Sequence, residues 1–95
     1  MASKEIEVLE SDIKFGKANG CWDCPVALAL QRAFNNIMIG VWYSGVDTPN
    51  GVIDQSRFFT NISSALVELP TEVAVKITAF DKGEAIKPFS FTLEY

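Results

Sequence analysis

The segment Pro25 to Phe34, Pro-Val-Ala-Leu-Ala-Leu-Gln-Arg-Ala-Phe, constrains the fold more than any other part of the chain. Proline is tolerated at the first position of a helix, where its missing N–H has no intrahelical partner to lose. Alanine and leucine behind it are strong helix formers. Only Gln31 and Arg32 are strongly polar, so most of the circumference is apolar, and a helix of that kind belongs at the centre of a fold. Asn35-Asn36 then stops it, because asparagine accepts left-handed backbone at a helix end. A chain of 95 residues closes one hydrophobic core around such a helix, which predicts a single domain over 1–95.

The remaining pattern says what surrounds that helix. After Pro88, Phe89 to Tyr95 alternates apolar and polar side chains without a break, the period of a strand with one face on a core. Glu5-Ile6-Glu7-Val8 alternates in the same way and reads as an edge strand with Ile6 and Val8 inward. Ser11 and Asp12 supply an acceptor and a negative charge at a helix start, and Gly16 with Asn19-Gly20 ends the segment, which predicts a short helix over 11–18. Pro70, Thr71 and Glu72 open a last helix whose Val73, Ile77 and Phe80 recur on one face, closed by Lys82-Gly83. Between the helices, the β-branched and aromatic run Ile37 to Tyr43 predicts a strand. Thr48-Pro49-Asn50-Gly51 is a turn, Val52 to Thr60 returns as the hairpin partner, and Val67-Glu68-Leu69 adds a short strand. The fold class is therefore α+β, an antiparallel or mixed sheet of about four strands with two or three helices packed on one face. Leu28, Leu30, Val73, Ile77, Phe80 and the Phe89/Phe91/Leu93 stripe form its expected core.

Twelve acidic against eight basic side chains leave a net charge of −4, and the cations Lys4, Lys14, Lys17, Arg32, Arg57, Lys76, Lys82 and Lys87 are scattered singly. Duplex binding draws affinity from clustered cations that displace counterions, so nucleic acid is not an expected partner. The chain has no histidine, which removes Ser-His-Asp and Cys-His machinery and points away from an enzyme. Gly45 and Gly51 flank a turn without a following helix or lysine, so no phosphate loop and no cofactor are expected. No apolar run approaches the roughly 20 residues that span a bilayer, and Met1-Ala2-Ser3-Lys4-Glu5 lacks the basic-then-apolar pattern of a signal peptide. The expectation is a cytoplasmic protein with no membrane partner.

Two constellations remain. Cys21-Trp22-Asp23-Cys24 is a spaced thiol pair with three readings. It is half of a tetrahedral zinc site, which without histidine only a second chain across a dimer axis would complete. It is a thiol–disulfide exchange pair, favoured by the helix N-terminus and opposed by Asp23. Or Cys24 packs as a small apolar residue at the helix entrance while Cys21 sits in a loop. The second constellation is the aromatic hairpin, Trp42 and Tyr43 facing Arg57, Phe58 and Phe59. Base stacking on a sheet needs cations, and only Arg57 is near. Core packing and a protein-binding patch are the competing readings, since Trp and Tyr are favoured at interface hot spots.

At Cys24-Pro25-Val26-Ala27-Leu28-Ala29-Leu30 with Arg32-Ala33, at Leu69-Pro70 through Ala79-Phe80-Asp81-Lys82-Gly83-Glu84, and at Pro88-Phe89-Ser90-Phe91, the chain resembles a group of short uncharacterised proteins of phages and bacteria. The resemblance covers about half of the chain and follows packing residues rather than reaction chemistry. It implies a phage or bacterial origin and no particular activity. A well-specified core without reaction chemistry predicts an interaction or accessory protein that binds a protein partner or itself, contacting it at Trp42, Tyr43, Arg57 and Phe58. The alternative is a thiol-redox or inter-subunit metal protein using Cys21 and Cys24.

Overall fold

The computed structural model describes residues 2–18, 20–43, 46–47, 53–54, 57–62 and 64–95. In chain order its elements are β1 (Ser3–Val8), α1 (Glu10–Phe15), α2 (Pro25–Phe34), β2 (Val41–Tyr43), β3 (Val46–Asp47), β4 (Ile53–Asp54), β5 (Phe58–Ile62), β6 (Ala65–Glu68), α3 (Thr71–Asp81) and β7 (Phe89–Glu94). The fold is α+β, and every strand pairing among the described residues is antiparallel.

The central helix forms where its sequence predicts. Pro25 occupies the first turn, and Asn35 leaves the helix in the left-handed region at φ 49°, its N–H turned back to the carbonyl of Arg32. Val26, Ala27, Ala29 and Leu30 are buried and Leu28 is half-buried. Both polar residues are tied down. Gln31 donates to the carbonyls of Trp22 and Ile39 at 2.7 and 2.9 Å. Arg32 makes a two-pronged contact with Asp12 at 2.7 and 2.9 Å and donates to the Glu7 carbonyl at 2.8 Å. One guanidinium therefore joins α1, α2 and β1.

α1 is shorter than the predicted 11–18. Asp12, not Ser11, caps it by reaching back to the Leu9 N–H at 2.8 Å, so the helix starts at Glu10. It closes at Phe15 because the Gly16 N–H donates to the Asp12 carbonyl at 2.8 Å and the backbone then turns extended.

The strands divide into a β1–β7 pair, a three-stranded sheet in the order β2–β5–β6, and a β3–β4 ladder. In the first, Ile6 lies opposite Phe91 and Val8 opposite Phe89, which places Ile6, Val8, Phe91 and Leu93 in the core. In the second, the strand expected from Ile37 pairs only from Val41. The side chain of Asn61 stands in for the missing ladder, accepting from the Gly40 N–H at 2.8 Å and donating to the Met38 carbonyl at 3.0 Å. The expected return strand is found as β4 and β5, and the turn at Thr48-Pro49-Asn50-Gly51 lies outside the described residues. β6 begins at Ala65, ahead of the expected Val67.

α3 contributes Val73, Ala74 and Ile77 to the same core as α2, with Phe80 half-buried. Lys82 ends it and Gly83 follows at φ 83°, a conformation that costs glycine nothing.

Candidate functional site

Two places gather the residues that the sequence singles out. The first is the loop entering α2. Each of its four carbonyls accepts a hydrogen bond, two of them from α2: Cys21 from the Val41 N–H at 2.7 Å, Trp22 from the Gln31 side chain, Asp23 from the Lys17 N–H at 2.8 Å, and Cys24 from the Leu28 N–H at 3.0 Å. The loop is thereby held to β2, α2 and the segment after α1. Cys24 is the N-cap of α2, and its sulfur accepts the Ala27 N–H at 3.3 Å in a buried setting. Burial pushes its thiol up from the ordinary 9.0 to about 11, against the pull of the Ala27 and Val26 N–H groups. Cys24 is thus a neutral, packed thiol at pH 7, while Cys21 is half-buried and free.

Cys21, Cys24, Val41, Phe58, Ile77 and Asp81 line a pocket of about 150 Å³. Among the described residues, no three cysteine, aspartate or glutamate side chains are gathered where one ion would touch all of them.

The second place is the outer face of the β2–β5–β6 sheet. Side chains alternate along β5: Phe58, Thr60 and Ile62 point into the core, whereas Phe59 and Asn61 point out. The register sets Trp42 opposite Phe59, Leu66 opposite Asn61 and Glu68 opposite Phe59, so Trp42, Phe59, Asn61, Leu66 and Glu68 share the outward face. Trp22, carried by the cysteine loop, meets Trp42 edge-on at a ring separation of 5.3 Å. Leu66 is 71% exposed and Trp22 48%. Arg57 pairs with Glu68 at this face at 2.9 Å, with the guanidinium over the Phe59 ring. Arg57 holds the Glu68 carboxyl below its usual range through that hydrogen bond.

Of the residues expected at an interface, Trp42 and Arg57 lie on this face. Phe58 does not: it is 5% exposed and belongs to the core and to the cysteine pocket. Phe59 takes its outward position. The Tyr43 backbone extends β2 opposite Phe58. Trp22 and Leu66 join the patch from outside the predicted hairpin. Strand alternation across β6 is the sequence signal for Leu66. No family model, curated protein or solved structure matches the chain. No helix among the described residues is long and apolar enough to cross a membrane.

Proposed function

We propose that this is a small interaction module, a cytoplasmic accessory protein of phage or bacterial origin. Its partner is another protein, engaged over the outer face of β2–β5–β6. The supporting observation is the outward face of the sheet, where half-buried Trp42 and Phe59 lie beside exposed Trp22 and Leu66. Aromatic anchors of this kind carry most of the energy in protein interfaces, and contiguous exposed apolar surface on a small protein marks contact sites.

The same sheet favours an extended, uncharged segment as the occupant. Leu69 donates to the Phe58 carbonyl, so in this register Val67 and Ala65 bond back to β5 while the backbone groups of Leu66 and Glu68 point to the outer edge of β6. A partner strand added there gains main-chain hydrogen bonds and lays alternate side chains beside Leu66. Arg57 and Glu68 already neutralise each other, so a charged segment finds no complement on this face.

The test compares wild type with Leu66→Glu and Trp42→Ala, both outward changes that keep the core. Capture from a bacterial lysate is followed by hydrogen exchange on the purified complex. The reading expects a partner retained by wild type and lost by both variants, with new protection at the Leu66 and Glu68 amides. A partner held equally by all three proteins, or self-association of the pure protein abolished by the same variants, would overturn it.

A further inference from the structure

We propose that the outer edge of β7 pairs with a second copy of this chain, β7 against β7 and antiparallel, about a two-fold axis at Thr92. The product is one continuous sheet in the order β1–β7–β7–β1. This goes beyond the interaction reading and does not rest on it, because β7 lies in a different sheet from β6.

The two edges of the β1–β7 pair differ. Ala2 and Tyr95 exchange both of their backbone hydrogen bonds, so alternation along the ladder makes Lys4 with Leu93, Ile6 with Phe91 and Val8 with Phe89 the bonded pairs. The N–H and C=O groups of Ser90, Thr92 and Glu94 therefore point away from β1. Among the described residues no strand pairs with them and no hydrogen bond reaches them. The edge of β1 is already engaged, because Arg32 of α2 donates to the Glu7 carbonyl at 2.8 Å. Natural proteins blunt open edges with lysine, proline or a bulge. β7 runs from Phe89 to Glu94 in unbroken register with none of these.

The strand is also complementary to itself, which selects a second copy as the occupant. With Thr92 opposite the partner's Thr92, Ser90 faces the partner's Glu94, and every outward backbone group of the strand finds a mate. Moving the axis toward the start of β7 brings Pro88 into the ladder, where it has no N–H to give. Moving it to Glu94 sets two carboxylates face to face, which destabilises a strand pair. In the Thr92 register the two Glu94 side chains lie about 14 Å apart along the strand, beyond the ~8 Å screening length of physiological salt. Both faces of the joined sheet then match. On the outer face a serine hydroxyl meets a carboxylate and threonine meets threonine. On the inner face Phe91 falls beside the partner's Leu93 and Phe89 beside the partner's Tyr95. That contact covers aromatic surface the single chain leaves open, since Phe89 is half-buried and Tyr95 is 37% exposed. The interface is isologous and closes at two chains.

The experiment follows the mass of the full chain by sedimentation equilibrium over a range of concentrations, with hydrogen exchange at both ends of that range. The mass is expected to rise from one chain to two and stop there. Protection at the Ser90, Thr92 and Glu94 amides is expected only at the high concentration. Thr92→Lys sets two like charges opposite each other on the axis, whereas within one chain it stands opposite Glu5, so its thermal melt as a monomer stays close to wild type. It is expected to weaken pairing by roughly tenfold or more. Leu66→Glu, in the other sheet, is expected to leave pairing unchanged. A one-chain mass at every concentration, or a Thr92→Lys protein that pairs as well as wild type, would overturn the proposal. So would loss of pairing in Leu66→Glu, which would move the contact to the β2–β5–β6 sheet.

Discussion

Gly16 stands at a crossing where no side chain fits. A Cβ placed there would lie 2.5 Å from the Asp12 carbonyl oxygen and 2.7 Å from the Pro25 ring. The first is helix backbone and the second is a buried ring at the start of the central helix, so neither yields cheaply. Gly16→Ala is expected to destabilise the protein by about 2 kcal/mol, the usual cost of forcing atoms into a packed site, as read from urea unfolding at constant m-value. An unchanged midpoint would show that α1 slides away from Pro25 freely. The glycine's role as a helix stop is visible in the sequence; its contact with Pro25 is not, because the intervening loop sets it. Cys24 gives a second residue-scale expectation. Its folded thiol titrates near 11 against an ordinary 9.0, so the folded state holds its proton where the unfolded state has lost it. That stability is fully present below pH 9 and is lost as pH rises from about 9 through about 11. Two pH units of difference correspond to about 3 kcal/mol. Denaturation midpoints at pH 8 and pH 11 should differ by this amount in wild type and by distinctly less in Cys24→Ala.

Between elements, the Arg32–Asp12 contact is the joint that local patterns miss. The sequence shows Arg32 as one of two polar interruptions in an apolar helix and Asp12 as a helix-start charge. Nothing in either pattern connects residues so far apart. In the fold, Asp12 is 5% exposed at its side chain and Arg32 47%, so the guanidinium lets an acid lie under the junction of α1, α2 and β1. Arg32→Ala leaves that carboxylate buried without its cation. The expected loss is about 2 kcal/mol, below the 3–5 typical of a broken buried pair because water reaches the arginine side of the contact. A double-mutant cycle with Asp12→Asn separates the pair from the loss of arginine packing, and a coupling near zero would show the ion pair to be incidental. The strands tell the same story. α2, α3 and β7 are legible because their periods are long and clean. The parity of β5 is not, because Phe58 and Phe59 are both aromatic and only pairing with β2 and β6 decides which one is buried. Likewise Ile37 to Gly40 has the composition of a strand, and the side chain of Asn61 takes the place of its ladder.

For the molecule as a whole, the strands nearest the two ends of the sequence close the fold. Ala2 and Tyr95 exchange backbone hydrogen bonds at 3.0 and 2.9 Å, and β1 pairs with β7 along its full length. The Cα radius of gyration of 12.9 Å matches the ~13 Å of a compact chain of about 100 residues. The pairing of alternating segments so far apart was not readable, since alternation identifies a strand's buried face but not its neighbour. It makes folding depend on the last strand, because β7 supplies Phe91 and Leu93 to the core and is the only partner of β1 among the described residues. Removing it also exposes Ile6 and Val8, which α2 then covers from one side alone. Truncating either large residue of β7 to alanine costs roughly 2–5 kcal/mol in a packed core, and a domain of this size holds only about 5–15 kcal/mol in total. A chain ending at Lys87 is therefore expected to show no cooperative unfolding in urea by circular dichroism, while Leu93→Ala still unfolds cooperatively at a lower midpoint. A sharp transition in the shortened chain at the wild-type midpoint would place the cooperative unit in α2, α3 and the three-stranded sheet and leave the β1–β7 pair as an appendage.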